Sequence, residues 1–160
     1  MTDLRRLIEV LVEGGVELIL VGGAAAVAHG ASRLTQDVDV VYARTGENLR
    51  RLVAALAPYR PYPRGAPPGL PFLWDEISLK NGLNFTLTTE LGDVDLLGEV
   101  AGGGDYQDLL PHAVPLVVFG REIQCVGLRK LIALKRAAGR PKDFEAIAEL
   151  ELLLEDEAPG

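Results

Sequence analysis

Apolar and polar positions alternate at two periods along this chain, one helical and one extended. Leu4, Leu7, Ile8 and Leu11 recur at helical spacing, with Thr2 or Asp3 placed as a cap and Gly14-Gly15 as the stop. Val16 to Val21 then reads as a short strand, Ala24 to Ala28 as a small helix ending near Gly30, and Val38, Val40 and Val41 as part of a second strand. Thr45 caps a helix whose stripe is Leu49, Leu52, Val53 and Leu56, ended by Pro58. Pro58 to Pro71 is rich in proline and glycine and reads as a long loop.

The second half follows the same logic. Phe72 to Leu79 holds a helical turn or a short strand, and Asn84 to Thr89 alternates as a strand should. Gly92 breaks that strand, and Val94 to Leu97 returns as its hairpin partner. Gly102 to Gly104 is a flexible joint, and Asp105 to Leu110 is one helical turn. Val114 to Phe119 and Ile123 to Val126 are strands around the turn Gly120-Arg121. Leu128, Leu131 and Ile132 mark a helix ended by Gly139. Pro141 opens the next helix, with Phe144, Ile147 and Ala148 toward the core. The pattern predicts an α/β (α+β) fold: one domain over residues 1–160, a short twisted mixed sheet with packed helices, and disorder only in the last few residues.

Chemistry enters where polar residues interrupt apolar runs. Asp37 and Asp39 lie one residue apart on a strand, so they point to the same face. Two carboxylates about 5 Å apart repel by on the order of 3 kcal/mol at an effective dielectric near 20. A divalent cation offsets that repulsion, and oxygen-only ligands suit Mg2+ or Mn2+. Gly22 and Gly23 lead into a helix start, where free backbone N–H groups suit a phosphate. The predicted hairpin carries a second spaced pair, Asp93 and Asp95. Lys135, seven residues after Leu128, stands on the apolar stripe, where its stem can follow the core while its ammonium reaches a polar site. Asp143 falls in the first turn of the last helix, favourable for the dipole. Arg136 and Arg140 lie off the stripe and read as exposed. Arg60 and Arg64 in the long loop either touch an acidic substrate or are solvated. His29 reads as a packing or hydrogen-bonding residue at a helix end. His29 and His112 lack neighbouring ligands, which argues against zinc.

Composition narrows the function classes. A formal charge of −7 argues against broad, non-specific nucleic-acid binding, though a local basic pocket remains compatible. Cys125 is the single cysteine, so a disulfide framework is excluded and a cytoplasmic location is the expectation. No apolar run reaches the length of a membrane span.

The ordered set Gly22-Gly23, His29-Gly30, Arg33, Thr35, Asp37 and Asp39 resembles the signature of the DNA polymerase β-like nucleotidyltransferases. It is similar in particular to the minimal nucleotidyltransferases and AbiEii-type proteins of prokaryotic toxin–antitoxin loci. The string LIALKRAAGRPKDFEAIAEL adds to the likeness, which spans Leu20 to about Leu150. The resemblance implies a nucleotidyltransferase fold and transfer of a nucleoside monophosphate from a triphosphate to an acceptor hydroxyl, on an RNA end or a protein side chain. It implies Mg2+ (or Mn2+) on Asp37, Asp39 and a third acid. Val94-Asp95-Leu96 fits that acid's apolar flanks, which makes Asp95 the third ligand and general base and Asp93 a turn or supporting residue. Gly22, Gly23 and Lys135 would hold phosphates, and Asp143 would orient Lys135 or an arginine. Arg33 either neutralises the phosphates or makes a structural ion pair. A toxin or antitoxin partner is the implied context. Two other classes fit the residues: an inactive protein of this fold that binds such a partner, and a metal-dependent phosphohydrolase. The second basic motif of larger AbiEii-type toxins is missing, and Lys80 is the only lysine between the strands concerned.

Overall fold

The computed structural model describes residues 2–32 and 35–157. Among these, seven strands form one mixed sheet: β1 (Leu18–Val21), β2 (Asp37–Tyr42), β3 (Tyr62–Pro63), β4 (Phe85–Thr89), β5 (Gly92–Leu97), β6 (Ala113–Val118) and β7 (Arg121–Val126). Their order across the sheet is β3-β4-β5-β2-β1-β7-β6. β2 runs parallel to β5 and β1 parallel to β7, while the remaining neighbours are antiparallel.

Seven α-helices are described: α1 (Leu4–Glu13), α2 (Gly22–Ala28), α3 (Gly46–Leu56), α4 (Glu76–Asn81), α5 (Tyr106–Leu109), α6 (Leu128–Ala138) and α7 (Pro141–Glu157). Their starts follow local chemistry. Asp3 accepts from Arg6 N at the head of α1, Thr45 from Asn48 N at α3, and Asp75 from Ser78 N at α4. Helix α3 packs on α1 and α4, whereas α6 packs on α2 and α7.

β1 is buried along its whole length, so both faces of the sheet are covered there. In β2, Val38 and Val40 are fully buried on the face opposite the aspartates. Each such aliphatic side chain contributes about 1.5–3 kcal/mol through burial. One continuous apolar cluster takes residues from α1 through α7, consistent with a single domain. Cys125 lies inside it. No described helix is long and apolar enough to cross a membrane.

Several expectations change. The helix expected over Ala24 to Ala28 begins earlier, directly at Gly22. The stretch 58–71 is not all loop, because Tyr62 and Pro63 pair with Thr88 and Leu87 as an edge strand. Phe144 does not face the core: it is 57% exposed, and Ala148 is exposed as well. The buried stripe of α7 is Asp143, Ile147 and Leu150, so a carboxylate occupies the position that apolar periodicity assigned to its neighbour. Within 72–79 the helical reading holds from Glu76 onward, in helix α4, and Gly92 opens β5 rather than lying outside it. The expectation of disorder at the C-terminus concerns residues 158–160, outside the described residues; α7 runs to Glu157.

Candidate active site

The parallel pairing of β2 with β5 builds the acidic centre. Its register sets Asp37 beside Asp93 and Asp39 beside Asp95. Because the side-chain period is two, all four carboxylates share one face of the sheet. Asp37, Asp39 and Asp95 each place a carboxylate oxygen within 4.8 Å of the other two. Val94 and Leu96 on the opposite face of β5 are fully buried, which fixes the register.

The carboxylates are held in an environment that disfavours their charge. Burial, then the charges of Asp37 and Asp95, push Asp39 up to about 7. Asp37 is also raised, by burial first and then by Asp95, with Arg64 and Lys142 acting against the shift. Asp39 Oδ1 is buried and accepts no hydrogen bond. An orphaned carboxylate oxygen beside two further carboxylates fits a divalent cation, and an all-oxygen donor set fits Mg2+ or Mn2+.

The glycines have a steric reason. A Cβ built on Gly22 would meet Asp39 Oδ2 at 2.3 Å, and one on Gly23 would meet Thr35 Oγ1 at 2.8 Å. Gly22 also has φ +61°, the left-handed region. The Gly-Gly pair therefore lets the start of α2 lie directly against Asp39. Thr35 donates in turn to Asp37 O at 2.6 Å, which ties the approach to β2.

Basic groups stand on the other wall. A cleft of about 320 Å3 is lined by Gly22, Gly23, Thr35, the three acids, Lys135, Arg140 and Lys142. Lys135 is 13% exposed, and its Nζ lies 3.9 Å from Asp143 Oδ1. Burial lowers its pKa, with Asp143 acting against the shift. Asp143, 2% exposed, accepts from Arg140 N at 3.1 Å, Nε at 2.8 Å and Nη2 at 3.2 Å. The Arg140 bonds hold the Asp143 carboxyl below its ordinary range. A neighbouring cavity of about 230 Å3 shares Gly22, Asp39, Asp95 and Lys135, and adds the apolar Leu97, Val100, Leu131, Leu134 and Ala138.

The structure thus brings Asp37, Asp39, Asp95, Gly22, Gly23, Lys135 and Asp143 to one cleft; Arg33 lies outside the described residues. His29 hydrogen-bonds through Nε2 to Val126 O at 2.8 Å at the end of α2. Arg60 leaves the site and pairs with Glu90 at 3.4 Å. Arg140, Lys142, Asp93 and Arg64 are additions. Asp93 sits inside β5, not in a turn. The signal for Asp93 was its one-residue spacing from Asp95, and for Arg140 and Lys142 the basic turn before Asp143.

Arg64 is the largest departure. Its Nη2 donates to Asp95 Oδ1 at 2.8 Å, its Nε lies 3.3 Å from Asp93 Oδ2, and its Nη1 lies 3.8 Å from Asp37 Oδ2. The arginine read as facing substrate or solvent contacts the chain's own acids.

No protein-family model matches the chain, and no curated protein matches it in sequence. Solved structures do match. The lincosamide antibiotic adenylyltransferase LnuA, in its lincomycin-bound crystal structure, aligns with a TM-score of 0.62 at 16% identity, over 94% of this chain and 96% of that one. An antigenic nucleotidyltransferase-like protein from Paracoccidioides brasiliensis aligns at 0.58 and 16% identity, over 99% of this chain and 78% of that one. A proposed nucleotidyltransferase from Thermotoga maritima aligns at 0.55 and 14% identity, over 96% and 91%. At these identities the likeness is one of architecture, and the chain has the nucleotidyltransferase fold.

Proposed function

We propose that this chain is a metal-dependent nucleotidyltransferase that moves a nucleoside monophosphate from a nucleoside triphosphate to an acceptor hydroxyl. The observation that carries the reading is the convergence of Asp37, Asp39 and Asp95, with a buried unpaired Asp39 oxygen, on a cleft walled by Lys135, Arg140 and Lys142. The three acids would hold the divalent cation, Mg2+ or Mn2+. When bound, that group neutralises phosphate charge and favours an ionised acceptor oxygen. Gly22 and Gly23 bring the backbone at the start of α2 against Asp39 and into the cleft, where Lys135 and Lys142 bind the phosphate oxygens. Asp143 holds Lys135 and Arg140 in place from behind. Asp95 accepts the acceptor's proton. The acceptor oxygen forms its bond to the α-phosphorus, the bond from that phosphorus to the bridging oxygen breaks, and pyrophosphate leaves.

The resemblance to AbiEii-type proteins favours an RNA end or a protein side chain as acceptor, with a toxin or antitoxin as partner. A second acceptor class, a small molecule with a hydroxyl and a compact apolar body, is favoured by the cavity of Leu97, Val100, Leu131, Leu134 and Ala138 next to Asp95. One structural neighbour, LnuA, is a lincosamide antibiotic adenylyltransferase.

Calorimetry with ATP, GTP, CTP and UTP, in Mg2+ and in chelator, tests the nucleotide half of the reading. Metal-dependent binding is expected; equal binding in chelator, or none of any triphosphate, would overturn it. Transfer of α-labelled nucleotide to total RNA, to a candidate partner protein and to a panel of hydroxylated apolar compounds identifies the acceptor.

A further inference from the structure

We infer that Arg64 is a resident counter-cation of the acid cluster, which a divalent cation must displace from Asp95; this rests on the metal-binding reading above. Four carboxylates share the face formed by β2 and β5. Lys135 and Arg140 are both engaged by Asp143. Among the described residues Arg64 alone spans the cluster, touching Asp37, Asp93 and Asp95. Its fork matches carboxylates two residues apart better than an ammonium would.

The contact is anchored from two sides. Arg64 N donates to Thr86 O at 2.9 Å, which continues the β3–β4 pairing. Its Nη2 also donates to Leu87 O at 2.8 Å. The guanidinium therefore sits on the cluster by construction of the edge strand, not as a solvated side chain. It does not serve all four acids. Asp39 is not among its partners, and Asp39 Oδ1 is the orphaned oxygen. The arrangement divides the cluster: Asp39 is open to a cation, while Asp95 Oδ1 is occupied by Arg64. A cation shared by Asp37, Asp39 and Asp95 brings a second positive charge to the Asp95 carboxylate that the guanidinium already holds, and the two compete for it. Once released, Arg64 remains at the rim with its charge free for an anionic substrate.

The test is Mn2+ alone, without nucleotide, titrated by calorimetry into wild type, Arg64→Gln and Arg64→Lys. Removing one positive charge next to a divalent site should tighten Mn2+ binding about ten-fold in Arg64→Gln. Arg64→Lys, which keeps the charge without the fork, should bind between wild type and Arg64→Gln. In chelator, Arg64→Gln should melt below wild type, because the carboxylates lose their counter-charge. On the wild type itself, the Arg64 Nε–H resonance should shift when Mg2+ is added. Unchanged or weaker Mn2+ binding in Arg64→Gln, with wild type still binding, would overturn the inference and leave the proposed function standing. An Nε–H resonance unmoved at saturating Mg2+ would do the same. Failure of every form to bind Mn2+ would overturn both.

Discussion

Gly22 and Asp39 are in direct steric opposition: a Cβ on Gly22 would stand 2.3 Å from Asp39 Oδ2 and 3.0 Å from its Cγ. Gly22→Ala must therefore move the carboxylate as well as accept φ +61°. The left-handed backbone alone costs about 1–2 kcal/mol, or a fall of about 2–8 °C in melting temperature for a chain of this size. We expect that fall together with at least about a ten-fold loss of Mn2+ affinity, since the displaced group is the proposed ligand. A thermal melt and a Mn2+ titration check the two effects separately. Retained affinity would show that Asp39 does not hold the cation.

Asp143 is buried against Arg140 and Lys135, and its charge is held by hydrogen bonds. Asp143→Asn keeps the shape and loses those charge-assisted bonds. The cost at neutral pH should be about 1–3 kcal/mol, at the lower end because Arg140 is more than half exposed. Since the folded carboxyl titrates below its ordinary range, its stabilisation is full above the unfolded value and is lost as pH falls through the folded one. Urea denaturation at pH 7, 4 and 3 should show the gap between wild type and variant narrowing at the acid end. A gap that widens there would contradict the pairing.

What could be read from the chain depended on how local the cause was. Asp37 and Asp39 were legible because a period of two and apolar neighbours fix both their face and their strand. Lys135 was legible as a break in a helical stripe. Asp93 was legible only as the spaced partner of Asp95, because its place beside Asp37 depends on the β2–β5 register, set by residues far away in sequence. Arg64 was hidden for the same reason: a two-residue edge strand inside a proline-rich stretch carries no periodic signal, yet it aims the side chain. Phe144 was misplaced because the ion pairs of Asp143 outweigh the apolar preference of its neighbour for the buried face.

Lys135→Ala should separate phosphate binding from structure. The Lys135 side chain is 13% exposed and shares Asp143 with Arg140, so Asp143 keeps a partner when Lys135 is removed. Melting should change by only a few degrees, because the variant loses a stem against the core without stranding a buried charge. Triphosphate affinity in Mg2+ should fall about ten-fold or more. A dissociation constant equal to that of wild type would remove Lys135 from the phosphate site.

The acids themselves separate site from scaffold. The folded Asp39 carboxyl is pushed up to about 7, while an unfolded aspartate titrates in the ordinary range. Between those values the folded state binds more protons than the unfolded one, so the stability of the metal-free protein falls as pH rises from about 4 to about 7. Above that window the full cost of holding the charge is present. Asp39→Asn removes it while preserving shape, so in chelator the variant should melt at the same or a higher temperature than wild type. The difference should be larger at pH 8 than at pH 5. With Mg2+ the order should reverse, because only wild type gains stability from the cation. Nucleotidyl transfer should be lost. A group retained for chemistry trades stability in this way, whereas an aspartate retained for structure loses stability when replaced. An Asp39→Asn variant that melts well below wild type in chelator at pH 8, yet still transfers labelled nucleotide, would exclude Asp39 as a metal ligand and leave it a structural residue.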